Sequence, residues 1–139
     1  MGSKTKVAAQ RRRAVTEDAP AAAVARMLAR GDATAALVTA RLALEAAPDD
    51  ARLNAQCAEA YRRLHDLDNA VEHEMRHLAA TPGDVQGWRR LIDMLDALGH
   101  DDEVERAAHL AIRCTDEPGA FLFRLGAALR LNDRFDDAL

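Results

Sequence analysis

Residues 84–114 read DVQGWRRLIDMLDALGHDDEVERAAHLAIRC, and this stretch decides the fold. Trp88, Leu91, Ile92, Leu95 and Leu98 recur at the 3.6-residue period of one helix face. Gly99 then supplies the left-handed residue that commonly closes a helix. Val104, Ala107, Ala108 and Ala111 start the same periodicity again within five residues. The segment therefore predicts an antiparallel pair of helices.

Working outward, the pair repeats. Ala36, Ala70, Val104 and Ala138 are each 34 residues apart, and each lies five residues after a turn-like position, namely Gly31, His65, Gly99 and Asp133. Pro48 and Pro82 keep the same interval, as do Met27, Tyr61, Leu95 and Leu129. A fixed period of this length predicts stacked copies of one helix pair. The units run from 17 to 50, 51 to 84 and 85 to 118, with an incomplete fourth from 119 to 139 that stops about one turn into its second helix. Pro48 and Pro82 end the second helices, while Asp50 and Asp84 stand where the next helices begin and are expected to cap them. Phe121, Leu122, Leu125, Leu129 and Phe135 are then expected to lack a full partner helix.

Composition agrees with an all-α protein. Hydrophobic residues make up 49% of the 139-residue chain but aromatic residues only 4%, and abundant alanine favours helices and their close approach. The formal charge is -4. Lys4, Lys6, Arg11, Arg12 and Arg13 give the first sixteen residues +5 and leave -9 for the rest, which argues against a specific nucleic-acid binder. This basic leader, residues 1–16, is expected to be a solvated tail or a short helix from about Val7 to Val15. Cys57 and Cys114 form no CxxC pair and read as reduced small hydrophobes. With no signal peptide and no membrane-spanning run, the expected location is cytoplasmic.

The chain resembles the tetratricopeptide repeat family, whose signature reads W-x2-L-G-x2-Y, then A-x3-F, then P. The residues that carry the likeness are Trp88-x2-Leu91, Leu122-x2-Leu125-Gly126-x2-Leu129, Tyr61 and the series Ala36, Ala70 and Ala138. The resemblance implies a right-handed superhelix of helix pairs whose first helices line a concave groove. In family register the groove positions are Arg52, Ala55, Glu59, Arg62 and Arg63, then Gln86, Arg89, Asp93, Asp96 and Ala97, then Phe123, Ala127, Arg130 and Leu131. First helices hold nine arginines against five acids, and second helices four arginines against ten acids. Arginine forks suit carboxylates and backbone carbonyls, and Phe123 offers an apolar anchor. The family's clamp for acidic chaperone tails is absent, because Ala21 and Ala25 replace its lysine and asparagine.

The implied function is non-catalytic binding of a partner protein's peptide or helix. An alternative is the substrate-recruiting segment of a larger glycosyltransferase or sulfotransferase, as similar segments in GC-rich bacteria often precede such domains. A homodimer through the incomplete last repeat is a further expectation. One competing motif needs weighing. His73-Glu74-Met75-Arg76-His77 reads HExxH, which on a helix places two imidazoles on one face for zinc, with the glutamate as base. Ala80 and Gly83 stand where the extended motif needs glycine and histidine, and the period puts His77 at a small-residue packing position. Glu74 and His77 are therefore expected to be partly buried polar groups near Tyr61 or Trp88. No cofactor and no metal is expected, and no catalytic residue is assigned.

Overall fold

A computed structural model describes the backbone of residues 19–138 and the side chains of residues 19–132. The basic leader and its expected helix lie outside the described residues. Seven helices are described: α1 (19–29), α2 (Ala33–Ala46), α3 (Ala51–Arg63), α4 (Leu67–Ala80), α5 (Val85–Ala97), α6 (Asp101–Cys114) and α7 (Gly119–Ala138). The starts of α3, α5 and α7 are 34 residues apart, and so are those of α2, α4 and α6.

The reversals inside each pair share one backbone solution. Gly31, His65 and Gly99 adopt φ of 80°, 62° and 74°. The next N–H of each turn donates back to Met27, Tyr61 or Leu95 at 2.9–3.0 Å. This six-to-one bond closes the helix and lets the chain reverse within three residues. Asp32, Asp50 and Asp66 cap the helices that follow, each accepting from a backbone N–H three residues on. Asp84 departs from the expected pattern. It starts α5, and its carboxylate serves His77 and Arg90 as well as facing the Gly87 N–H of the first turn.

Consecutive helices from α2 to α7 pack on one another, and the backbones of α4 and α6 stay apart on either side of α5. One buried cluster holds Val24, Ala36, Ala40 and Cys57, and the other is built around Trp88, Ile92, Ala108 and Phe121. Tyr61 packs against both, so the core is continuous along the stack. Ala36, Ala40, Ala70, Ala108 and Ala111 have no exposed surface, which lets the helix backbones approach closely. Gly87 serves the same end, since an added Cβ would come within 2.8 Å of Leu78 Cδ2.

The fourth unit corrects two expectations. The backbone does not turn at Asp133, and α7 continues as one helix to Ala138. Phe121 does not lack a partner either, being 1% exposed within the core.

Candidate functional site

The family-register stripe follows helical spacing along α3, α5 and α7, opposite the buried faces of those helices. Arg52, Arg62 and Arg63 are exposed, and Ala55 and Glu59 are half-buried. On α5, Gln86, Arg89, Asp93, Asp96 and Ala97 are all exposed. On α7, Phe123, Arg130 and Leu131 are exposed and Ala127 is half-buried; among the described residues Phe123 is the most open large apolar side chain, at 77%.

The arginines of this stripe are not equivalent. Arg62 and Arg63 both bind the Glu59 carboxylate, and Arg63 Nη1 also donates to the Leu28 carbonyl at 2.6 Å, tying α3 to α1. Their forks are therefore partly occupied. Arg52 and Arg89 make no ion pair with a described residue. Arg89 and Asp93 line a cleft of about 150 Å³ between α5 and α7, together with Arg124 and Phe121. Arg124 pairs with Asp93 and with Asp96, the latter at 3.6 Å. The family register does not include Arg124 among its groove positions, yet this side chain joins the two helices there. Its signal in the sequence is its place 34 residues after Arg90.

The HExxH string lies on α4, with His73, Glu74 and His77 on its inward side and Met75 and Arg76 exposed. His73 stacks on Tyr61, with ring centroids 5.5 Å apart, and Nδ1 meets Asn54 Oδ1 at 3.0 Å. Asn54 Nδ2 already donates to the carbonyls of Pro48 and Asp50, so Nδ1–H of His73 is the donor in this bond. Burial holds the His73 pKa below the ordinary 6.5, with the Arg76 charge acting the same way. His77 is enclosed on both ring nitrogens, with Nδ1 2.9 Å from the Ala51 carbonyl and Nε2 2.8 Å from Asp84 Oδ2. Glu74 is 2% exposed and accepts from Arg90 Nη2 at 3.1 Å. Burial raises the Glu74 pKa despite the bond and charge of Arg90. Burial would raise Asp84 as well, but the bond from His77 and the neighbouring Gly87 and Arg90 outweigh it and hold its pKa below the ordinary value.

Glu74 and His77 are buried polar groups, with partners that the spacing did not name. His73, not His77, lies against Tyr61, and Glu74 is fully buried against Arg90. Both His77 nitrogens are engaged by protein acceptors, so His73 and His77 do not present a shared pair of lone pairs to a metal. Among the described residues no group of three or more His, Cys, Asp or Glu side chains is placed to hold an ion. Cys57 is fully buried, and burial pushes its thiol up to about 11, against the opposing charges of Arg41 and Arg76. Among the described residues no helix is long and apolar enough to cross a membrane.

Solved structures share this architecture. The chain is similar to the Sgt2 TPR domain from Aspergillus fumigatus, with a TM-score of 0.66 at 17% identity, over 88% of this chain and 82% of that one. It is also similar to MamA (AMB-1), with a TM-score of 0.73 at 20% identity, over 88% of this chain and 67% of that one. No family model and no curated protein matches the sequence. The chain has the tetratricopeptide-repeat fold.

Proposed function

We propose that the chain is a non-catalytic, cytoplasmic protein-binding module that takes a peptide or helix of a partner protein along the stripe formed by α3, α5 and α7. The observation that carries this reading is the exposed set Arg52, Arg89 and Phe123, which offers two cations without an ion pair among the described residues and an apolar anchor on successive first helices. Such a set suits an extended segment bearing carboxylates and one large apolar side chain. Gln86, Ala55, Ala127 and Arg130 extend the contact, while the Glu59 and Asp93 ion pairs set where partner cations are tolerated. The net negative charge outside the basic leader argues against a specific nucleic-acid partner. Recruitment of a protein substrate to a transferase is a special case of the same binding.

The test is affinity capture from the source organism with the wild-type chain and with Arg52→Glu/Arg89→Glu/Phe123→Ala. Loss of the captured partner with unchanged helical circular dichroism is the expected result. Capture that is unaffected by the triple substitution refutes the groove.

Self-association is a second reading, favoured by the apolar surface of α7, where Leu122, Leu129 and Leu131 are 56%, 40% and 40% exposed. Sedimentation equilibrium distinguishes it: a dimer that dissociates in Leu122→Glu/Leu129→Glu supports it, and a monomer at high concentration removes it.

A further inference from the structure

A second surface lies on the opposite side of the stack. The backbones of α4 and α6 are held apart, and a groove of about 570 Å³ opens between them, over α5. Its floor is Trp88, Leu91 and Leu95, and its rims include Met75, Leu110 and Cys114. Met75 and Leu110 are 55% and 43% exposed, so the apolar lining reaches solvent. Methionine at a rim adapts to different apolar shapes.

The repeat supplies an internal control. One unit earlier, the positions of Trp88, Leu95, Ala107 and Leu110 are held by Asn54, Tyr61, His73 and Arg76. There His73 stacks on Tyr61 and bonds Asn54, so the equivalent channel is filled by the protein's own polar side chains. Met75 likewise replaces Arg41 at the rim. The openness of the later groove is therefore a property of these residues and not of the fold.

The groove is charged at one end only. Glu103 and Arg106 line it and also line an adjoining cavity that contains Asp101, Asp102 and Glu105. Along α6 it runs from Glu103 to Cys114, about 16 Å at 1.5 Å per residue, or three turns of a facing helix. A helix lying there with its C-terminus over Asp101 and Asp102 would place cations where both its own dipole and the acidic cavity favour them.

We propose that the groove between α4 and α6 is a second docking site, for an amphipathic helix of a partner protein with leucine-like side chains on one face and lysine or arginine in its last turn. This surface is separate from the arginine stripe and does not depend on it.

The probe is a labelled 15-residue helical peptide with leucines at i, i+3 and i+7 and three lysines in its last turn. Its control has glutamates in place of the lysines. Fluorescence anisotropy with the full chain should show the lysine peptide binding at least ten-fold more tightly than the control. Leu110→Glu should weaken it at least ten-fold, and Asp101→Lys/Asp102→Lys should remove the preference between the peptides. Arg52→Glu/Arg89→Glu should leave binding unchanged, which separates this site from the stripe. Bound peptide should also slow maleimide labelling of the exposed Cys114, with Cys57 buried and silent. Equal binding of the two peptides, or insensitivity to Leu110→Glu, overturns the proposal. So does a dimer of the chain that dissociates in Leu110→Glu, which assigns the groove to a second copy, or exclusive binding of a small apolar dye, which assigns it to a small ligand.

Discussion

Helices α4 and α6 occupy the same place in successive units, yet they meet their neighbours with opposite chemistry. Where α4 carries His73, Glu74 and His77, α6 carries Ala107, Ala108 and Ala111. The arginine that follows each helix responds accordingly. Arg90 reaches back to the buried Glu74, whereas its counterpart Arg124 has Ala108 at that position and turns to Asp93 and Asp96. The repeat thus specifies the path of the backbone and leaves the polarity of each junction free. The polar junction fills its outer channel, and the alanine junction leaves one open. A buried ion pair is not by itself a gain in stability, since desolvation opposes the attraction. The two junctions offer a direct measure of that balance.

The largest effect is expected from Arg90→Ala, which leaves Glu74 buried without its partner. Breaking a buried pair this way should cost about 3 kcal/mol, the low end of the usual range, because about a third of the Arg90 side chain meets water. Urea denaturation measures it. Glu74→Ala with Arg90→Leu, which gives this junction the apolar chemistry of α6, should be less destabilising than Arg90→Ala alone. A double variant that is worse than the single would show that the polar junction is required for stability.

His73→Ala should cost about 2 kcal/mol, because it leaves the Asn54 acceptor without a donor and removes the stack on Tyr61. The same imidazole sets a pH dependence. Its folded pKa lies below 6.5, so the unfolded chain takes up the proton first as pH falls. Its contribution to stability is full above about 6.5 and is lost as pH falls through the folded value. Denaturation midpoints between pH 7.5 and 5.5 should decline in the wild type and flatten in His73→Ala.

The turns give a smaller contrast. His65 holds φ of 62° where the flanking units have glycine, and a side chain in that region is disfavoured by about 1 kcal/mol. His65→Gly should raise stability by up to about 1 kcal/mol, read as a higher thermal midpoint. The smallest effect is expected at Glu72, whose pair with Arg76 is half exposed on both sides. Glu72→Ala should change stability by less than about 0.5 kcal/mol. A larger loss would mean that the surface of α4, and not only its buried face, distinguishes it from α6.

Much of the fold was legible in the residues. The series Met27, Tyr61 and Leu95 names the carbonyls that close each turn, and Pro48 and Pro82 mark the ends of α2 and α4. Asp84 was legible as a helix start but not in its partners, since capping is local while His77 and Arg90 reach it from other turns of the structure. The continuation of α7 through Asp133 escaped the period, because spacing marks where a turn can form and not whether the backbone leaves its helix there.

For the site, the stripe from Arg52 to Arg130 came from the register of the resembled family, and the inward place of His77 came from the period. The sequence by itself determined the repeat, its turns and the sides on which charges fall, because these depend on spacing along one chain. Only the tertiary structure decided which arginines are occupied, that both His77 nitrogens are taken, and that one outer channel is open while its counterpart is filled. Those depend on distances between side chains far apart in sequence, which a period does not encode.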